Sequence, residues 1–403
     1  MSDFFQNGVI TTLHRLKSDN VAELEDKLMV YSRTRPIALV LPLHIVELEG
    51  EALPGIVSKL AAIPYIHEVV VTIGGAGKQQ FTQAKRYFAQ LPHTTALIWN
   101  DGPRLGKLYG MLEEEFGTRA KGKGLSAWMA YGYVLARGEC RVIALHDCDI
   151  LTYNTELLTR LCFPAASTRL NYEFCKGYYT RVSDRLHGRA TRLFVTPLIR
   201  AIMDILGQLP FLIYLDSFRY PLAGEFAMHS DLAWRTRIPS DWGLEIGVLS
   251  EIYRNCSLNA VCQVDLADNY EHKHQPLSAG DATGGLMKMT IDIAKTLFRN
   301  LAASGVVYSD GFFKTLRTAY IRQAQDMIKQ YHDDAQINSL FFDRHAESLA
   351  VEAFADSIRL AGERTLEDPL GIPLIPNWSR VLAAVPDFFD YLLEAVAADK
   401  EET

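Results

Sequence analysis

The sequence predicts a mostly parallel, doubly wound α/β sheet with an α-helical extension at its C-terminal end. Two observations predict it. Continuous apolar runs of strand length alternate with helical patterns over the first two-thirds of the chain, and only helical spacing remains beyond about Gly285. The 403 residues suffice for two medium domains or one elaborated α/β domain, so the reading divides them into a sheet domain over 1–285 and a helical region over 286–403.

The strands come first. Ile37–Pro42, His67–Ile73, Ala96–Trp99 and Val142–His146 are apolar runs too continuous for a sheet wet on one face. Ala52–Ala62, Gln79–Gln90 and Leu125–Ala136 between them carry helical periodicity, and a later strand is expected at Ala260–Val264. In such sheets ligands bind beyond the carboxyl ends of the strands, which directs attention to the loops after Pro42, Ile73, Trp99 and His146. Leu193–Leu215 is the most apolar stretch. Its Pro197, Arg200, Asp204 and Pro210 mark it as a buried helix and loop, with no membrane span expected. In the helical region, Phe313, Leu316, Tyr320, Ala324 and Met327 form an apolar stripe that needs a partner surface. That surface is the sheet domain, a second subunit, or both, and a homodimer is the expected assembly.

Composition narrows the function. The 48 acidic residues against 41 Lys+Arg give a net charge of −7, which argues against a nucleic-acid partner. Six cysteines form no CxxC pair, and the N-terminal stretch lacks the regions of a signal peptide. Free thiols in a reducing, cytoplasmic setting are the simplest reading.

Several segments carry chemistry. Asp147-Cys148-Asp149 puts two carboxylates at the end of an apolar strand, where hard oxygen ligands suit Mg²⁺ or Mn²⁺; the same triplet also serves as a turn or helix cap. Lys121-Gly122-Lys123-Gly124 opens a helix and would suit an anion, or would form a solvated basic turn. Lys176, Arg181, Arg185, Arg189 and Arg192 form a basic cluster in an acidic chain. Arg185, Arg189 and Arg192 are spaced to share one helical face, which suits either a phosphate or carboxylate ligand or a solvated surface. Glu225 in PLAGEFA, and Glu245 close to Trp242, place carboxylates where sugar hydroxyls could be held or helices capped. His272 and His274 follow the late strand as a possible metal ligand or as structural histidines. There is no GxSxG or HExxH, and Gly74-Gly75-Ala76-Gly77 is not a dinucleotide fingerprint.

In order, VLP (40–42), GKG-x-x-AW (122–128), DCD (147–149), Lys176, GRAT (188–191), PLAGEFA (221–227), WGLEIGVL (242–249) and QVDL followed by HKHQPL (263–277) resemble the retaining glucosyl-3-phosphoglycerate synthases, glycosyltransferases of the GT-A type. The resemblance spans roughly residues 35–280. It implies transfer of glucose from an NDP-glucose, UDP-glucose among them, to the anionic three-carbon acceptor 3-phosphoglycerate, in the route to the compatible solute glucosylglycerate. The candidate donor-site residues are Pro42, Leu43, Glu47, Gly74, Gly122, Lys123, Asp147, Cys148, Glu225 and Glu245. By the resemblance, Lys123 and Asp147 contact the nucleotide and Glu225 the sugar hydroxyls, with Lys123 and Glu225 the catalytic candidates. Asp149 and His272 hold the divalent cation, and Lys176, Gly188, Arg189 and Thr191 form the acceptor site. Tyr270 stands where the family carries an arginine two residues before the metal histidine. A mannosyl or other glycosyltransferase of the same fold acting on glycerate or another small acid, a sugar-phosphate nucleotidyltransferase and a non-catalytic sugar-binding homologue remain as alternatives.

Overall fold

A computed structural model describes residues 6, 8–117, 122–271, 284–371 and 373–402. Eight strands form one sheet: β1 (Thr11–Leu13), β2 (Ile37–His44), β3 (Ile66–Gly74), β4 (Thr94–Trp99), β5 (Val142–Leu145), β6 (Phe174–Tyr178), β7 (Phe226–His229) and β8 (Val261–Asp265). Their order is β1-β8-β6-β7-β5-β2-β3-β4. Every pairing is parallel except those of β7, which runs antiparallel to both β5 and β6.

Both faces are covered, which is why the strands read as continuous apolar runs. Along β2, Ala38 and Val40 join one buried cluster, and Ile37, Leu39 and Leu41 join the other. That alternation is the two-residue pleat of a strand. The helices Ala52–Leu60, Lys78–Phe88 and Thr155–Ala166 cover one face through Ile56, Phe81 and Leu161. The helices Pro103–Phe116 and Lys123–Arg137 cover the other through Leu108 and Trp128.

The antiparallel β7 positions the site. The parallel strands β2, β3, β4 and β5 bring their carboxyl ends to one edge. Because β7 runs the other way, its amino end lies there too, with Phe226 opposite Leu145 of β5 and Lys176 of β6. The segment just before β7, Gly224-Glu225, thus meets the segment just after β5, Asp147–Asp149. Sequence periodicity does not show β1, β6 or β7: they have three, five and four residues, and β6 carries Lys176 and Gly177.

The helical region comprises Gly285–Ala302, Asp310–Ile337, Arg344–Glu367, Trp378–Ala384 and Phe388–Glu402. Its stripe of Phe313, Leu316, Tyr320, Ala324 and Met327 is buried within this one chain, in the same cluster as Leu198 and the sheet-covering Trp128. The stripe therefore needs no second subunit, and the argument for a dimer built on it lapses. Trp378 stacks on Trp128 with ring centroids 3.7 Å apart, and Trp128 Nε1 donates to the Pro376 carbonyl at 2.9 Å. Arg104 pairs with the buried Asp399 at 2.5 Å.

Residues 193–215 form buried helix and loop as expected, in the helices Thr196–Leu206 and Pro210–Asp216. Among the described residues no helix is long and apolar enough to cross a membrane. The basic segment departs from expectation. Arg185, Arg189 and Arg192 do not share a helical face, because the helical turns begin only after Gly188, whose φ is +75°. Arg185 stays in the preceding strap, and Arg192 folds back to donate from Nε to the His187 carbonyl at 2.8 Å.

Candidate active site

At the shared edge of β2, β3, β4, β5 and β7 lies a cavity of about 1250 Å³. Its floor is an ion-pair cluster. Lys123, on the first turn of the helix Lys123–Arg137, reaches Asp147 at 2.5 Å and Glu245 at 3.6 Å. Burial works against the ammonium charge, but Asp147 and then Glu245 outweigh it, so the Lys123 pKa is raised and the side chain stays charged. Gly224 makes the cluster possible: a Cβ there would stand 2.7 Å from Asp147 Oδ2 and 3.2 Å from Lys123 Nζ. The glycines flanking Lys123 have a similar steric reason. A Cβ at Gly122 would meet the Ser240 carbonyl oxygen at 2.7 Å, and one at Gly124 the Pro239 carbonyl oxygen at 2.2 Å.

Of the residues expected in the site, Pro42, Leu43, Glu47, Gly74, Gly122, Lys123, Asp147, Cys148, Asp149, Gly188, Arg189 and Glu245 line this cavity together. Three others do not line it. Thr191 is buried on the helical turn behind Arg189, and Lys176 and Glu225 are buried behind the cavity wall. Glu225 is fully enclosed. The Tyr179 hydroxyl donates to its Oε2 at 2.7 Å and the Tyr270 hydroxyl to its Oε1, with the two tyrosine rings stacked 3.7 Å apart. Burial first, and then Asp147, push the Glu225 pKa up. Lys176 donates to the Ala223 carbonyl at 2.5 Å, and burial lowers its pKa to about 8. His272, with Lys121 and His274, lies outside the described residues.

Other cavity residues carried no motif. Asn100 and Asp101 follow β4 directly. Asp101 Oδ2 accepts from the Gly75 and Ala76 amides at 2.6 and 3.1 Å, fixing the loop after β3. Asn100 donates to Thr72 Oγ1 at 2.7 Å and accepts from the Tyr109 hydroxyl at 2.6 Å. Their only sequence signal was position, since both sit at a strand's carboxyl end. Trp242, 40% exposed, lines the cavity with Glu245, the pairing of ring and carboxylate its segment suggested. Arg181 donates to the Tyr220 hydroxyl at 3.1 Å, and both line the wall near Gly188.

Asp147 and Asp149 present hard carboxylate oxygens to the cavity, a donor set that suits Mg²⁺ or Mn²⁺. Among the described residues no group of three or more His, Cys, Asp or Glu side chains is placed to hold a metal unaided. A substrate oxygen or a residue outside them would complete the set.

No family model matches the chain. Among curated proteins, the glucosyl-3-phosphoglycerate synthase of Persephonella marina is 47% identical over 403 residues, covering 100% of both chains. That of Methanococcoides burtonii is 39% identical over 406 residues, covering 99% of this chain and 98% of its own. Among solved structures, the glucosyl-3-phosphoglycerate synthase from Mycobacterium tuberculosis with Mg²⁺ and UDP aligns with a TM-score of 0.52 at 20% identity, covering 75% of this chain and 89% of that one. The mannosyl-3-phosphoglycerate synthase from Rubrobacter xylanophilus aligns with a TM-score of 0.55 at 20% identity, covering 74% and 83%. These two likenesses establish the fold, and it is the GT-A type. With near-complete coverage at 47% and 39% identity to the curated relatives, the chain belongs to the glucosyl-3-phosphoglycerate synthase family.

Proposed function

We propose that this chain is a cytoplasmic, retaining glycosyltransferase that moves glucose from an NDP-glucose such as UDP-glucose to 3-phosphoglycerate. The observation that carries the reading is that one cavity joins the Lys123, Asp147 and Asp149 floor to the Gly188–Arg189 strap. The floor suits a sugar nucleotide and the strap an anionic acceptor. Full-length identity to named glucosyl-3-phosphoglycerate synthases supports the same substrates.

3-Phosphoglycerate has one free hydroxyl, at C2, between a carboxylate and a phosphate. In the reaction that oxygen bonds to the glucose anomeric carbon on the face the leaving group vacates. The bond from that carbon to the β-phosphate oxygen breaks, and the C2 hydroxyl proton passes to the departing phosphate. Lys123, held charged by Asp147 and Glu245, opposes the negative charge that grows on the leaving diphosphate. Asp149 is the described residue that would hold Mg²⁺ or Mn²⁺, with His272 added by the resemblance, while Asp147, paired with Lys123, faces the nucleotide. A bound divalent ion would neutralise the same diphosphate charge.

Glu225 acts from behind the wall. Both of its oxygens accept from tyrosine hydroxyls and it is fully buried, which suits a fixed polar anchor for the sugar pocket and not a nucleophile. Tyr179 carries that anchor to the cavity surface. Arg189, 37% exposed on the cavity wall, is the proposed ligand for the acceptor anion, with Gly188 beside it. A cytoplasmic setting accords with six free cysteines, five of them buried.

The test incubates the protein with UDP-, GDP- and ADP-glucose and GDP-mannose, with Mg²⁺, and with or without 3-phosphoglycerate. Acceptor-dependent nucleoside diphosphate release from an NDP-glucose, with an α-linked product by NMR, is expected. Release from the mannose donor only, or pyrophosphate formation, would replace this reading. Asp149→Ala should abolish release while the ligand-free melting temperature holds. Light scattering decides the assembly, since the tail's apolar stripe no longer argues for a dimer.

A further inference from the structure

One carboxylate from the helical region reaches the proposed acceptor site. Glu347 lies in the first turn of the helix Arg344–Glu367, with Asp343 capping that turn by accepting from the Ala346 amide at 3.0 Å. Its side chain is 6% exposed and bridges two arginines of the basic segment. Arg189 Nε donates to Oε1 at 2.7 Å and Arg192 Nη2 to Oε2 at 3.0 Å. The two arginines differ in what else they touch. Arg192 is 10% exposed and also holds the strap, giving Nε to the His187 carbonyl and Nη2 to the Leu186 carbonyl at 3.2 Å. Arg189 lines the cavity, and among the described residues Glu347 is its one hydrogen-bond acceptor.

The helical region also grips the basic segment once on the strap and once on the helical turn that follows it. The Phe341 amide donates to the Asp184 carbonyl at 2.8 Å, with the Arg185 guanidinium over the Phe341 ring. The Tyr320 hydroxyl donates to the Leu193 carbonyl at 2.6 Å.

A guanidinium is a rigid planar fork with five donors. Held at Nε, it cannot swing about its last torsions, and its Nη edge stays available for a bidentate carboxylate or phosphate. Two guanidiniums against one carboxylate also leave a net positive charge at the strap. We propose that Glu347 is a positioning residue for the acceptor: it locks Arg189 by its Nε edge so that the Nη edge is presented, preorganised, to the acceptor anion. The proposal gives the helical region a role in the reaction, and it rests on the reading of Arg189 as the acceptor ligand.

The test compares Glu347→Gln, Glu347→Asp, Arg189→Ala and the double variant Arg189→Ala/Glu347→Gln. Steady-state kinetics give the KM of each substrate, calorimetry gives 3-phosphoglycerate affinity, and melting temperatures report the fold. Glu347→Gln should raise the acceptor KM about tenfold, the scale of one charge-assisted hydrogen bond made less well, with the donor KM unchanged. Glu347→Asp, which keeps the charge, should recover part of that loss. The double variant should be no worse than Arg189→Ala alone, because Glu347 acts through Arg189. If Arg189→Ala raises the acceptor KM and Glu347→Gln does not, the positioning role is wrong and the proposed function stands. If Glu347→Gln raises both KM values and lowers the melting temperature together, Glu347 is structural and the inference fails. If Arg189→Ala leaves the acceptor KM unchanged, the acceptor assignment itself fails and this inference with it.

Discussion

Replacing Gly224 with alanine isolates the ion-pair floor of the cavity with the smallest perturbation available. The new methyl carbon would stand 2.7 Å from Asp147 Oδ2, 3.1 Å from its Cγ and 3.2 Å from Lys123 Nζ. The closest of these is about 0.7 Å short of ordinary van der Waals contact. The lysine head can swing aside, but the aspartate side chain is short and rooted at the end of β5. Either Asp147 turns and loosens its 2.5 Å contact with Lys123, or the 224 backbone withdraws and carries Glu225 with it. Both displace charged groups by roughly half an ångström to one ångström. A misplacement of about 1 Å costs on the order of 100-fold in rate, or ~2.7 kcal/mol, so a half-relieved clash costs about tenfold. Gly224→Ala should therefore lower kcat/KM for the NDP-glucose 10- to 100-fold by these rough magnitudes, while the acceptor KM stays within about twofold. Overpacking costs ~1–3 kcal/mol in a closed core, and the low end applies beside an open cavity. Diphosphate release at varied donor and saturating acceptor, with urea unfolding in parallel, measures both. A Gly224→Ala protein with wild-type donor kcat/KM would refute the argument that Lys123 and Asp147 must be held this closely.

Gly132→Ala would put a Cβ 2.1 Å from Trp378 Cζ2, so it should destabilise by at least ~1–3 kcal/mol in urea unfolding and expose residues 378–402 to limited proteolysis. Gly55, inside the helix Ala52–Leu60, has nothing within 4 Å of its virtual Cβ, and Gly55→Ala should stabilise by about 0.5–1 kcal/mol with unchanged kinetics. Burial lowers the Lys176 pKa to about 8, below its unfolded value of about 10.4, so between those values the unfolded chain binds more protons. Wild type should gain stability relative to Lys176→Met as pH rises from 8 to 10, by at most about 1.4 kcal/mol per pH unit, and parallel pH profiles would show that Lys176 is not titrating there.

The parallel half of the sheet was legible because β2, β3, β4 and β5 are buried on both faces, which writes itself as unbroken apolar runs. The strap was misread because helical spacing says nothing of where a helix begins, and the left-handed Gly188 delays its start past Arg185. Most of the candidate site was legible for a different reason. Asp147, Asp149 and Lys123 end strands or open helices, positions that face a ligand in any sheet of this kind. Glu225 was found by type and neighbourhood, but its depth was not, because only the antiparallel placement of β7 sends it behind the wall. Tyr179, Tyr270 and Glu347 bear on the site through pairings across 46, 45 and 158 residues, and no local pattern encodes contacts of that range.

The strand order also sets a schedule for synthesis. β2, β3, β4 and β5 are consecutive in the chain and adjacent in the sheet, so they can assemble as soon as residue 145 has left the ribosome. The next neighbour of β5 is β7, and between them lie β6 and the whole 146–225 segment. Thr11 pairs with Cys262, so β1 waits still longer, until about two-thirds of the chain exists. Until β7 emerges, β5 is an unpaired edge of apolar residues, the kind of edge that recruits other chains. The aggregation hazard of this protein is thus concentrated in an interval of its translation, and a slower ribosome over residues 146–225 would lengthen it.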